Sequence, residues 1–377
     1  MKKLTILALH LGYGGIEKCI SSLANMLCDE YEIEIISTYK IYDKPQFFID
    51  EKVKIRYLIS DLKPNREQFL KYLKRFKFIK AFKEGLISIK VLKQKKDKMI
   101  EAIRECNSDI IISTRDIHND WLGKYAKPNV LKIGWEHNFH NNNRKYINKV
   151  VNSALNLDYF VLVSKNLEEF YCQKLKNTKC KTINIPNTLD YYPDSISNLK
   201  NEHIVSVGRL SIEKGYLDLI DVFSLVHSVH PNWILDIVGD GNEREKIEAK
   251  IKKYNLNDHV ILHGFQDKKY INDILQNGSI YAMGSYTEAF PIVLLEASSF
   301  GLPCVAFDSA QGACEIITDN WDGYLVKNRD KEQMAKRICE LISNYNRRFI
   351  MGKNAFKKSK EYSTNTIKNK WIEMMEK

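Results

Sequence analysis

The 377 residues contain no apolar run of about 18 positions, so no membrane-spanning helix is expected. The eight cysteines, at 19, 28, 106, 172, 180, 304, 314 and 339, form no CxxC pair and no Cys/His cluster. That excludes a zinc ribbon or a disulfide framework and points to the reduced thiols of a cytoplasmic protein. His137 and His140 stand three apart, but two histidines without further ligands do not make a metal site. No repeat of about 20–50 residues and no low-complexity tract appears. The opening MKKLTILALHLGYGG begins like a signal peptide, yet it runs into Gly12, Gly14, Gly15 and Glu17 without a small-residue cleavage site. Residues 4–10 therefore predict a first buried strand.

What is present fits a globular chain: 44% hydrophobic and 28% charged residues. The length exceeds one ordinary core, so two domains are expected. Basic residues are in excess in the first half only. Residues 1–190 hold 34 Lys and Arg against 22 Asp and Glu, a net of +12, whereas residues 191–377 hold 24 against 25, a net of −1. The excess concentrates in residues 62–98, with 13 basic and 3 acidic side chains. Leu70, Leu73, Phe76, Phe78, Ile79 and Phe82 interleave with those lysines at roughly helical spacing. The pattern fits a basic amphipathic helix at an anionic membrane surface. It also fits a solvated helix with its apolar side on the core. Nucleic acid is disfavoured, because no nucleic-acid motif accompanies the charge.

Apolar strand-like runs alternate with helical patterns in both halves. LTILALH, YEIEIIST, DIIIST, LKIGWEH, YFVLVS and TINIPN read as strands in the first, with helices near 16–29, 66–84, 94–106 and 165–175. HIVSVGRL, WILDIVGD, VILHGF, SIYAMG, PCVAF and GYLV read as strands in the second, with helices near 215–230, 242–254, 268–276, 291–300 and 331–344. Continuous apolar strands predict parallel sheets covered on both faces. The expectation is α/β: two doubly wound domains, 1–188 and 200–360, with a cleft between them and a helix of about 362–377 packed back on the first. The boundary falls in the polar stretch 186–203.

Ligands in such sheets sit at the carboxyl ends of the strands. In SVGRLSIEKGYLDLI, Val205 and Val207 end a strand, Gly208 permits a turn, Arg209 and Lys214 flank a loop, and Gly215 opens a helix. Two cations beside a helix N-terminus suit a diphosphate. The same pattern also occurs as an ordinary strand–loop–helix with surface charges. In SYTEAFPIVLLEASSFGLP, Glu288 falls in a loop at a strand end, Pro291 suits the first helical turn, and Glu296 sits inside an apolar helix. A carboxylate among VLLEA is costly unless hydrogen-bonded. The vicinal hydroxyls of a ribose would satisfy Glu296, and Glu288 would reach a hydroxyl-rich group such as a sugar. A structural glutamate bonded to a neighbouring loop is the competing reading.

GRLSIEKG together with TEAFPIVLLEASSFGLPCVA resembles the donor-binding domain of retaining glycosyltransferases of the GT-B fold, glycosyltransferase family 4. GYGGIEKC is similar to the glycine-rich loop on the acceptor side of that family, and WEHN, VSKN, IPNTLD, IVGDG, HGF and DGYLV follow in the family's order. The resemblance implies two Rossmann-like domains facing each other across a cleft. It implies that Arg209 and Lys214 hold the donor diphosphate, that Glu296 holds the ribose and that Glu288 contacts the donor sugar. Phe290, Pro291, Ile292 and Val293 would bring the helix start to the nucleotide sugar. His137 would lie across the cleft against that sugar, and Gly14 and Gly15 would let backbone approach phosphate and acceptor. Ala289 departs from the family's usual glycine and adds a methyl beside the sugar. Thr188 replaces a commoner glycine in a turn.

The implied reaction moves a hexose or N-acetylhexosamine with retention, from a nucleotide sugar, UDP by expectation, to a hydroxyl of a glycan or polyprenyl-linked oligosaccharide. Capsule, exopolysaccharide or lipopolysaccharide synthesis is the implied setting, with a cytoplasmic protein peripheral on the membrane. No second acid pairs with Glu288 as hydrolases require. No DxD-like motif stands in a suitable place, so neither metal nor cofactor is expected beyond the co-substrate. A dehydrogenase is disfavoured because GYGGIE lacks the third glycine of G-x-G-x-x-G. A sugar-nucleotide epimerase should show an acidic pair in its first domain. A non-catalytic nucleotide-sugar-binding partner of another transferase is the alternative.

Overall fold

A computed structural model describes residues 1–60, 72 and 78–377. The chain divides into two units. The first comprises Met1–Val163, Glu168–Ile185 and Lys368–Lys377; the second comprises Ser164–Leu167 and Pro186–Ile367.

The first unit carries a seven-stranded sheet of β1 (Lys3–Ala8), β2 (Glu32–Tyr39), β3 (Lys54–Ile59), β4 (Ile110–Ser113), β5 (Leu131–Glu136), β6 (Tyr159–Leu162) and β7 (Lys181–Asn184), in the order β3-β2-β1-β4-β5-β6-β7. All its pairings are parallel. The central strands are apolar because helices cover both faces: Leu4, Ile6, Ile111 and Ile112 are fully buried. The strand order reverses between β1 and β4, which makes the ends of those strands the switch point where such sheets bind ligands.

The second unit repeats the plan with β8 (His203–Val207), β9 (Ile234–Val238), β10 (Val260–Gly264), β11 (Ile280–Met283), β12 (Cys304–Phe307) and β13 (Gly323–Val326), in the parallel order β10-β9-β8-β11-β12-β13. Its switch point lies between β8 and β11, which pair through Ile204–Ile280 and Val205–Tyr281. Phe223, Leu235, Ile237 and Phe307 fill its core. Each aliphatic side chain buried this way contributes about 1.5–3 kcal/mol.

Several elements lie outside the sequence expectation. β3 escapes an apolar reading because KIRYLI carries Lys54 and Arg56 at the sheet edge. The helices Asp116–Tyr125 and Arg144–Ala154 are rich in Asp, Asn and His, weak helix formers, and form because His118, Trp121, Leu122 and Val150 are buried against the sheet. The helices expected near 66–84 and 94–106 are separated by no break: one helix runs from Phe78 to Glu105, and the expected residues before it lie outside the described region apart from Tyr72. Val91, Met99, Ala102 and Ile103 repeat at helical spacing on its buried face, which overrides the strand-like composition of LISIKV. The terminal helix Thr364–Glu376 buries Ile367, Trp371 and Met374, and Trp371 packs edge-to-face on Trp135 with centroids 5.1 Å apart.

Candidate functional site

At the second unit's switch point, β8 leads through Gly208–Ser211 and a short 3-10 turn, Ile212–Lys214, into the helix Tyr216–Val229. Gly215 links turn to helix at φ 64°, and a Cβ there would collide with the Gly284 carbonyl in the loop after β11. Only glycine suits that conformation and that approach. The loops after β8 and β11 therefore touch backbone to backbone. Tyr281 ties β11 to β8 as well, its hydroxyl accepting from Val207 N–H at 3.1 Å.

This contact brings the predicted charges together. Lys214 Nζ lies 2.5 Å from Glu288 Oε1, and Ser285 Oγ donates to the same oxygen at 2.9 Å. The Gly312 N–H donates to the Glu288 carbonyl at 2.9 Å and holds the loop from the β12 side. The Glu288 side chain is 13% exposed and Lys214 28%, so the pair is partly shielded from bulk solvent. Arg209 is exposed and has no ion pair among the described residues. One free and one paired cation thus stand on the β8 side, opposite a carboxylate on the β11 side.

Glu296 occupies the second turn of the helix Ile292–Ser299, with Pro291 as its N-cap, one position ahead of the expected first turn. Its carboxylate is 9% exposed and is met by Lys268 Nζ at 2.6 Å. The cost of placing a carboxylate among Leu294, Leu295 and Ala297 is thereby offset by a charge-assisted hydrogen bond. Lys268 opens the helix Lys268–Asn277, where Asp267 is the N-cap and accepts from Tyr270 N–H at 2.8 Å. Phe290 is buried, with its ring 5.6 Å from that of Tyr362, while Ile292 and Val293 are half-buried at the helix start.

The remaining predicted residues belong to the first unit. Gly14 and Gly15 precede and open the helix Gly15–Leu27 after β1. A Cβ on Gly14 would strike the Glu17 carboxylate, whereas one on Gly15 would meet open space. Glu17 is buried and accepts from Arg115, which follows β4, at 2.9 Å; His10 Nδ1 lies 3.5 Å from the same oxygen. His137 follows β5 with its ring 4.2 Å from Trp135. Burial, assisted by the Arg115 charge, pushes its imidazole down to about 3, so it is neutral at ordinary pH. Its Nε2 is shut from solvent without a hydrogen-bond partner. His118 is fully buried and likewise pushed down to about 3, by burial first and then by Lys95 and Arg115.

The sequence reading missed Lys268, Ser285 and Arg329. A buried glutamate signals that some cation or hydroxyl must meet it, but more than fifty lysines and arginines are candidates and no local pattern selects Lys268. Ser285, three residues before Glu288, was within reach as a short-range side-chain partner. Among the described residues no three His, Cys, Asp or Glu side chains gather as a metal-binding group.

Residues 191–358 match the family described as Glycosyl transferases group 1. The chain is 28% identical over 370 residues to exopolysaccharide phosphotransferase SCO2592 of Streptomyces coelicolor, covering 96% of this chain but only 39% of that longer protein. It is 26% identical to the amylovoran biosynthesis glycosyltransferase AmsD of Erwinia amylovora, with 96% of each chain covered. A mutant of S. aureus TarM, solved in complex with Fondaparinux, alpha-GlcNAc-glycerol and UDP, superposes with a TM-score of 0.80 over 100% of both chains at 16% identity, a likeness of fold alone. The family match falls within the second unit, and the two-sheet fold is of GT-B architecture.

Proposed function

We propose that the protein is a retaining, metal-independent transferase of glycosyltransferase family 4. It would move a hexose or N-acetylhexosamine from a UDP-sugar to a hydroxyl of a glycan or lipid-linked oligosaccharide in surface-polysaccharide synthesis. The observation that carries the reading is the Lys214–Glu288 pair at one switch point, where backbone contact between two loops fixes their spacing and Arg209 lies on the same loop as Lys214. In this reading Arg209 and Lys214 bind the donor diphosphate and stabilise the negative charge that grows as it leaves. Such preorganised electrostatic stabilisation is usually the largest catalytic contribution. Glu288 engages the sugar hydroxyls, and Lys214 turns from it towards phosphate when donor arrives. Glu296 takes the ribose hydroxyls, sharing them with Lys268. The leaving phosphate accepts the acceptor's proton on the face the sugar departs from, so no carboxylate acts as nucleophile. In this reading His137, kept neutral by burial, and the Gly14–Gly15 segment serve the acceptor. UDP is favoured because the TarM structure was solved with it. A role in polysaccharide synthesis follows the AmsD relative.

The acceptor side is proposed to dock on an anionic membrane from a cytoplasmic location. Phe78, Ile79, Phe82, Leu86, Ile89 and Leu92 are exposed on the helix Phe78–Glu105, interleaved with exposed Lys80, Lys83, Lys90 and Lys93. No helix among the described residues is long and apolar enough to cross a membrane. Such a face fits insertion at the headgroup boundary, each basic residue near the surface contributing about 1 kcal/mol.

Thermal-shift screening against UDP-, GDP- and ADP-sugars, followed by assay of released nucleotide, tests the reading. A ligand at a hundred times its Kd stabilises by about 2.7 kcal/mol. Stabilisation by a UDP-sugar with release of UDP in the presence of a glycan acceptor is the expected result. Stabilisation without any release, across acceptors, would instead support a non-catalytic sugar-nucleotide binder.

A further inference from the structure

Arg329 lies in the KNRD segment after β13, where no motif marks it, yet it makes the densest set of contacts around the loop that carries Glu288. Its guanidinium donates to two successive carbonyls of that loop: Nη2 to Gly284 at 2.8 Å and Nη1 to Ser285 at 2.8 Å. Nη1 also reaches Ser309 Oγ, beyond β12, at 3.1 Å. Nη2 pairs with Asp218 Oδ2 at 2.7 Å, on the helix that follows Lys214. The guanidinium carbon sits 3.7 Å from the centroid of the Tyr286 ring and 4.4 Å from that of Phe307. Tyr286 closes the circuit, its hydroxyl donating to Asp218 at 2.8 Å and its N–H to the Glu213 carbonyl at 2.8 Å.

Arg329 adopts this position at φ 52°, and Asn328 before it at φ 57°. Two successive non-glycine residues in the left-handed region persist only where their surroundings over-determine them. Here the contacts just described do so, and all of them converge on the loop after β11 or on its neighbours. The side chain is 18% exposed, so its forked donor geometry is held away from competing water. A lysine at this position could not span the Gly284 and Ser285 carbonyls together with Asp218.

We propose that Arg329 is a positioning residue. By clamping the carbonyls of Gly284 and Ser285 to Asp218 and Ser309, it fixes the loops after β8, β11 and β12 in one register. That register sets where Glu288 and Lys214 stand relative to a bound nucleotide sugar. The inference rests on the donor-site reading above. Arg329 touches neither of the charged side chains proposed to meet the donor; it acts through the loop backbone.

The test uses the full chain with Arg329→Gly, which removes the guanidinium while keeping a residue suited to φ 52°, and Arg329→Lys, which keeps the charge without the fork. Amide hydrogen exchange in the absence of ligand reads the clamp directly. Faster exchange confined to residues 284–290 and 309–312 in both variants is expected, and exchange equal to wild type there would overturn the clamp. With UDP-sugar and acceptor, kcat is expected to fall by on the order of tenfold to a hundredfold, as for a small misplacement of reacting groups. The Kd of bare UDP is expected to stay near wild type, and added guanidinium ion should restore part of kcat to the glycine variant. Parallel loss of kcat and UDP binding without rescue would overturn positioning in favour of general loosening. Wild-type protein that binds no nucleotide sugar would overturn the donor reading and the catalytic consequence, while the exchange result would still decide whether Arg329 clamps the loop.

Discussion

Both sheets place an ion pair across their switch point, but with the polarity reversed. In the first unit the acid, Glu17, follows the first strand of the sheet's sequence and the base, Arg115, follows β4. In the second unit the base, Lys214, follows β8 and the acid, Glu288, follows β11. The surroundings differ too. Glu17 is 5% exposed and is shared with His10, so the first pair is an internal brace for its loops. The second pair is more open, and exposed Arg209 lies on the same loop as Lys214. Around the first switch point stand His10, His118 and His137, all driven towards the neutral form by burial. The second switch point thus carries cations near its surface, whereas the first is lined by histidines held neutral, with His118 fully buried.

The sharpest way to break this contrast is to remove the cations of the second unit. Arg209→Ala and Lys214→Ala should each lower kcat/KM by roughly a hundredfold to a thousandfold, as loss of a charge-stabilising donor does. Both proteins should unfold cooperatively with little change, since Arg209 is exposed and Lys214 is half-buried. Rates equal to wild type in both variants would refute the diphosphate assignment.

His118 in the first unit and His203 in the second respond to pH in opposite senses. His118 is held near 3 when folded, against 6.5 unfolded, so the unfolded chain binds more protons between those values. Its contribution is therefore fully present above about pH 6.5 and is lost as pH falls, amounting to about 2 kcal/mol by pH 5. In the second unit His203 is raised, chiefly by its hydrogen bond to buried Asp236 at 2.5 Å. Its contribution is present below the unfolded value and fades as pH rises through the folded one. Segment-resolved hydrogen exchange from pH 5 to 8 should show the first unit weakening towards acid, and His118→Gln should flatten that slope. An acid slope in His118→Gln equal to wild type would contradict the assignment to His118.

A smaller effect separates the two glutamates. Glu296→Gln should weaken bare UDP by about tenfold, since a hydrogen bond to a charged group contributes roughly 1.5–3 kcal/mol and the amide retains part of it. Glu288→Gln should leave bare UDP near wild type and lower transfer. Isothermal titration with UDP alone distinguishes them, and equal loss in both would refute the division of ribose from sugar.

How much of this was legible in the sequence follows from the range of each interaction. The parallel strands other than β3, the loops and the glycine that opens the helix at 215 are local and were readable from apolar runs and glycine spacing. The Lys214–Glu288 pair spans 74 positions, but each partner sat in its own motif, so both residues were named without the contact between them. Lys268 and Arg329 sit in no motif; Arg329 meets Gly284 across 45 positions. Only the sheet order brings such partners together, and a lysine or arginine in a polar stretch carries no mark of what it will meet. The Phe78–Glu105 helix was expected at its two ends, and only its continuity through residues 85–93 was missed. Its isoleucines and valine suit a strand locally, and burial of every third or fourth side chain decided otherwise.

The smallest expected effect is from chelation. A diphosphate leaving group needs its charge offset, and a divalent cation is one way to do that. In the proposed site Arg209 and Lys214 already stand at the β8 end, and the helix Ile292–Ser299 begins beside Glu288, so its N-terminal partial charge adds to theirs. These groups are fixed by the loop contact at Gly215 and Gly284, and no reorganisation is needed when charge develops. EDTA should therefore leave turnover unchanged in wild-type protein. The same additions should matter more once a cation is removed: magnesium should partly restore Lys214→Ala, because an ion can then occupy the place of the ammonium. Loss of wild-type activity in EDTA, with recovery on adding magnesium or manganese, would show that side chains alone do not neutralise the leaving group.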